Sequence, residues 1–151
     1  LTIHRQENLD NKNKLLDIFE GLTLDEPIRF PVHPHTEKVL KDFKIKLPDN
    51  IIKLPSISYR DNLTLIANAR MVITDSGGVQ CESYWMRRPC LVLRKETEWV
   101  DYVDDGWIQL VGHDQIDIMR AMENFKPQDK KQLHYPESGA KRRIREILWS
   151  L

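Results

Sequence analysis

Short apolar runs alternate with amphipathic stretches along the chain, and this alternation narrows the fold more than any other feature of the sequence. Such a repeat indicates βα units and a parallel sheet. "PCLVLR" (89–94) is the sharpest case, an almost unbroken apolar run of the kind found where both faces of a strand are covered. Similar runs predict strands at 1–4, 28–33, 51–57, 71–74 and 107–112, about six in all. Between them, 8–22 places Leu15, Leu16, Ile18, Phe19 and Leu22 on one helical face, with Asp10 or Asn11 able to cap it. Further helices are predicted at 36–46, after a Pro-rich loop "PHT", at 59–69, 78–86 and 114–125, and last at 138–151, beyond a polar connection at 126–137.

With 151 residues the chain suffices for one domain with a sizeable core. Twenty-three basic and 23 acidic residues cancel, and the one basic run is the short "KRRIR" of 141–145, so no general nucleic-acid or membrane-surface role is favoured. Cys81 and Cys90 lack a thiol or histidine at metal-ligand spacing and read as reduced, cytosolic thiols. No apolar run approaches the roughly 18 residues that span a bilayer. The chain opens on "LTIH" inside a strand pattern, and we expect it to be part of a longer protein.

The chemistry concentrates in "MVITDSGGVQCESYW" (71–85). A strand that ends in Gly-Gly and turns into a helix presents free N–H groups and the positive end of the helix dipole, a site for anions. Glycines allow close approach, and ligands of open α/β sheets sit beyond the carboxyl ends of the strands, where Ser76, Gly77 and Gly78 would lie. The competing reading is a structural turn in which Asp75 or Ser76 is only an N-cap. Ser76 has no identifiable base, the βα pattern is wrong for a trypsin-like protease, and the G-x-G-x-x-G, P-loop and G-x-S-x-G patterns are absent. Glu82, about one turn into the helix, is explained either by dipole stabilisation or as an acceptor for ribose hydroxyls.

Several motifs in one order, "HRQEN" (4–8), "PVHPHT" (31–36), "TDSGGVQCES" (74–83), "PCLVLRKETEW" (89–99), "LVGHD" (110–114) and "YPESGAKRRI" (135–144), resemble the non-hydrolysing UDP-N-acetylglucosamine 2-epimerases. The likeness covers nearly the whole chain but only the C-terminal half of such an enzyme. It implies an α/β, Rossmann-like parallel sheet with helices on both faces, one half of a GT-B fold, with residues 1–151 as the UDP-binding domain. The implied reaction inverts C2 of a UDP-N-acetylhexosamine by eliminating UDP and adding it back, without redox cofactor or metal, in a cytoplasmic enzyme serving cell-surface polysaccharide synthesis. Carried over by motif, Ser76, Gly77 and Gly78 would hold the diphosphate and Glu82 the ribose. Ile57 would meet the uracil through its backbone, and His4 would stand at the catalytic cleft. The implied partners are a UDP-sugar, the N-terminal domain of the same chain and a second subunit in a homodimer.

The sequence also departs from that pattern. Cys81 stands where an acid is common, Asn62 where an aromatic residue stands beside uracil, and Trp99 in place of an arginine near the nucleotide, leaving Arg94 as the nearby cation. The "TEW" form, with "GW" at 106–107, is similar to the branch acting on modified UDP-hexosamines such as diacetamido-uronic acids. His33 and His35 lie where some members bind a second, regulatory substrate, but His35 and Thr36 replace the usual Asn-Pro, and a loop-structuring role competes. The family's acid/base carboxylates come mainly from the other domain, so the chain alone is expected to bind UDP weakly and epimerise nothing. The alternatives are the donor-binding domain of a GT-B glycosyltransferase and a non-catalytic nucleotide-binding module.

Overall fold

Two parallel groups of strands share one layer between helices. The computed structural model describes residues 1–127; the expected connection at 126–137 from residue 128 onward, the last helix and the motif at 135–144 lie outside them. Five strands are named in chain order: β1 (Ile28–Pro31), β2 (Ile51–Leu54), β3 (Val72–Thr74), β4 (Cys90–Val92) and β5 (Ile108–Leu110). β1 pairs with β2 and, separately, β3 with β4 and β4 with β5, all parallel. Interleaved are the helices α1 (Gln6–Leu9), α2 (Lys12–Gly21), α3 (Pro34–Asp42), α4 (Tyr59–Asn68), α5 (Gly77–Trp85), α6 (Val100–Asp104) and α7 (Gln115–Asn124).

The expected first strand, 1–4, is reduced to a seam between the two groups. Leu1 N donates to Arg29 O at 2.8 Å, Thr2 N to Ile73 O at 2.9 Å, and Asp75 N to Thr2 O at 3.3 Å. Thr2 forms one parallel bridge with Thr74. The ladder stops there because the amides of His4 and Arg5 turn to the side chain of Asp75 instead.

Strand periodicity explains the double-sided core. Along β3 and β4, Val72, Cys90 and Val92 join the cluster of Ile66, Tyr84, Tyr102 and Ile108 on one face. Ile73, Leu91 and Leu93 join Leu15, Ile18, Phe19, Leu22, Ile118 and Met122 on the other. Successive side chains point to opposite faces, so an unbroken apolar run fits a strand with helices on both sides. Each of these large side chains contributes roughly 1.5–3 kcal/mol on burial.

Local chemistry moved several boundaries. The stretch 8–22 breaks into α1 and α2 because Asn11 takes extended backbone and its side chain accepts from Asn13 N and Lys14 N. The helix expected at 36–46 begins earlier, with Pro34 in its first turn, where a missing N–H costs nothing, so "PHT" is helical rather than loop. β2 ends before Pro55, short of the expected residue 57. α6 was not foreseen; five residues are too few to display a period.

Candidate functional site

Ser76, Gly77 and Gly78 open α5 at the carboxyl end of β3. Ser76 is the N-cap: its backbone is extended and its Oγ accepts from Val79 N at 3.4 Å, while its own N–H donates to Thr74 Oγ1 at 2.9 Å. Asp75, the other candidate cap, is wholly buried and points back into the seam. Its carboxylate accepts from His4 N at 3.1 Å, Arg5 N at 3.0 Å and Asn8 Nδ2 at 3.1 Å, and His4 Nδ1 lies 3.3 Å from Oδ1. The carboxylate therefore fixes the His4 imidazole beside the α5 N-terminus. Sequence reasoning missed this, although an acid next to the candidate anion site was the available signal.

A cleft of ≈ 320 Å³ brings His4, Ile57, Tyr59, Asn62 and Val79 together, with His33 at its edge. Ile57 follows β2, and Asn62 lies one turn into α4, whose N-cap Ser58 accepts from Asp61 N. His33 is itself the N-cap of α3, its Nδ1 accepting from the backbone N–H of His35 at 3.2 Å, which gives the His33 side chain a structural task at the start of this helix.

Glu82 lies beyond the first turn of α5, so stabilisation by the helix end does not explain it. Burial raises its carboxyl above the ordinary value, with the Tyr59 hydroxyl acting in the opposite direction. Its Oε2 is buried without a hydrogen-bond partner. A buried acceptor left unmatched is a feature that a ligand hydroxyl would satisfy.

Arg94, just past β4, keeps only 12% of its side chain exposed and pairs with Glu98 through Nη1 at 2.9 Å and with Glu7 through Nε at 3.2 Å. Burial opposes its charge, but the hydrogen bond it donates to Glu98 and the fields of Glu98 and Glu7 raise its pKa. Burial pushes the Cys81 thiol up to about 11 and the Cys90 thiol to about 12, which leaves neither poised as a nucleophile. Among the described residues no cluster of His, Cys, Asp and Glu could hold a metal ion, and no helix is long and apolar enough to cross a membrane.

Comparison with known proteins gives this geometry its context. The family profile described as UDP-N-acetylglucosamine 2-epimerase matches residues 1–149. A UDP-N-acetylglucosamine 2-epimerase homolog of Methanococcus maripaludis is 38% identical over 99% of this chain and 44% of its own length. A UDP-2,3-diacetamido-2,3-dideoxy-D-glucuronate 2-epimerase of Pseudomonas aeruginosa is 34% identical over 99% of this chain and 44% of its own. The Methanocaldococcus jannaschii UDP-GlcNAc 2-epimerase, solved in complex with UDP-GlcNAc and UDP, superposes with a TM-score of 0.87 at 34% identity, covering 99% of this chain and 44% of that one. The chain thus spans less than half the length of these relatives.

Proposed function

This chain belongs to the UDP-N-acetylglucosamine 2-epimerase family, and we propose that it is the C-terminal, UDP-gripping half of an enzyme that inverts C2 of a UDP-linked N-acetylhexosamine. One observation carries the residue assignment: the α5 N-terminus stands at the carboxyl end of β3, on the same helix as Glu82, a half-buried acid whose buried Oε2 has no partner. A nucleoside diphosphate is a ligand that answers both, with anionic oxygens for the helix end and hydroxyls for the acid.

In this reading the Ser76 hydroxyl and the amides of Gly77 and Gly78 hold the diphosphate, and Glu82 accepts from the ribose hydroxyls. Backbone groups at Ile57 meet the uracil, with Asn62 beside it, and Arg94 supplies positive charge. Loss of the C2 proton and cleavage of the C1–O bond, whose electrons leave with UDP, give a glycal; UDP then re-adds at C1 while a proton returns to the other face of C2. Fixed donors stabilise the departing diphosphate better than water does, because they need no reorientation as its charge develops. His4, oriented by Asp75, stabilises that charge or moves a proton at the cleft. The carboxylates that exchange the C2 proton belong to the other half of the enzyme.

The substrate is UDP-N-acetylglucosamine or a modified analogue; the Pseudomonas relative supports the second option. We place the enzyme in the cytoplasm as a homodimer that supplies cell-surface polysaccharide synthesis. Calorimetric titration of the chain with UDP, beside Ser76→Ala and Glu82→Ala, tests the site. Each substitution removes a hydrogen bond involving a charged group and should weaken binding roughly tenfold or more. UDP binding that survives both unchanged would remove the assignment.

A further inference from the structure

The proposed diphosphate position already holds an anion belonging to the chain. Glu98 Oε1 packs so closely on Gly77 that a Cβ added there would overlap it. Its Oε2 accepts from Arg94 Nη1 at 2.9 Å, and Arg5 Nη2 stands 3.9 Å from Oε1. Its own backbone N–H and then, against burial, Arg94 and Arg5 hold the Glu98 carboxyl below the ordinary carboxylate range. Charge is therefore balanced at the helix end without any ligand.

The loop that carries Glu98 is fastened to α5. Thr97 Oγ1 donates to Gln80 Oε1 at 2.6 Å and accepts from Trp99 N at 3.2 Å. The Trp99 ring stacks on Tyr102, with centroids 5.3 Å apart and planes 4° from parallel, and Tyr102 stacks on Tyr84 at 3.8 Å. This stack sets the indole beside Gly77, its Nε1 3.5 Å from the point where a Cβ would stand. That Nε1 is buried and has no acceptor. An indole N–H can only donate, and a buried donor without an acceptor is normally avoided.

Resting on the reading of Ser76 to Gly78 as the diphosphate grip, we propose that Trp99 is a further phosphate-binding residue and that Glu98 is the internal anion which the entering diphosphate displaces. The Glu98 side chain is 47% exposed and can swing into solvent without disturbing the core. Its departure hands Arg94 and Arg5 to the ligand, while the indole N–H gains an acceptor. A diphosphate carries more charge than the single carboxylate it replaces, so the exchange favours diphosphates over uncharged ligands.

The test titrates UDP and uridine into the unaltered chain, Glu98→Gln and Trp99→Phe, with a thermal melt of each. Glu98→Gln should bind UDP roughly tenfold tighter, and Trp99→Phe, which keeps the stack, roughly tenfold weaker, with uridine unchanged in both. Equal or weaker UDP binding by Glu98→Gln overturns the displacement. Unchanged UDP binding by Trp99→Phe overturns the indole contact; the Glu98 arm stands apart from it, because an exposed side chain does not depend on the stack tolerating a change. UDP that binds neither the unaltered chain nor Glu98→Gln overturns the functional reading beneath this one.

Discussion

Asp75 and Glu82 are both acids of the same strand–turn–helix segment, and their surroundings give them opposite tasks. Asp75 is a satisfied acceptor: two part-buried backbone amides, the buried Asn8 amide and the exposed His4 imidazole converge on its wholly buried carboxylate. Asp75→Ala strands the buried Asn8 amide and, less completely, the part-buried amides of His4 and Arg5, and at about 1–3 kcal/mol for an unsatisfied buried group the stability lost in a urea melt should reach about 3 kcal/mol. Glu82 is the reverse, a carboxyl raised chiefly by burial. An acid whose native pKa is raised binds its proton more tightly when folded. It costs nothing below the ordinary carboxylate range, destabilises as pH climbs from the ordinary value through the raised one, and keeps that full cost above it. Glu82→Gln should therefore melt higher than the unaltered chain at neutral pH and equal to it in acid, while binding UDP more weakly. A substitution that stabilises the fold and damages the site is the behaviour expected of a residue held for function; a lower melting temperature at neutral pH would contradict it.

At the scale of elements, the sequence disclosed what periodicity and caps can encode. Strand positions followed from apolar runs such as "PCLVLR", and α2, α4 and α7 from their spacing, because those signals are local. The break at Asn11, the early start of α3 at Pro34 and the seam at Thr2 were hidden, since each depends on a side chain choosing between backbone partners. Within the site, Ser76, Gly77, Gly78 and Glu82 were visible as a motif, whereas the His4–Asp75 pair joins residues 71 apart and exists only once the sheet has formed. The same holds for the packing of α2 on α7. A Cβ at Gly21 would lie 2.8 Å from Gln115 O and 2.9 Å from Ile118 Cβ, and the first of these is backbone that cannot swivel away. Gly21→Ala should therefore force the two helices apart and cost about 1–3 kcal/mol, despite alanine's better helix propensity. Chemical denaturation measures it, and a stability gain would show that α7 is less firmly seated.

Across the molecule, one apolar cluster joins strands of both pairing groups to α2, α3 and α7, while a second lies beneath α5 and α6. The seam at Thr2 to Arg5 runs between those groups and carries His4 to the mouth of the cleft. In the proposed function this arrangement provides a rigid grip on a leaving group and little of the proton chemistry. Inversion at C2 needs a base on one face of the sugar and an acid on the other, and the described residues lining the cleft include the titratable groups His4, His33 and Tyr59 but no carboxylate. The chain alone should therefore bind UDP-N-acetylglucosamine without washing its C2 hydrogen into solvent. Incubation in D2O followed by proton NMR would read this directly: the C2 signal should persist with the isolated chain and decay when the complementary half of the enzyme is supplied. Deuterium uptake at C2 catalysed by this chain alone, and lost in His4→Gln, would move the proton transfer into this half and make the Asp75-held imidazole its base.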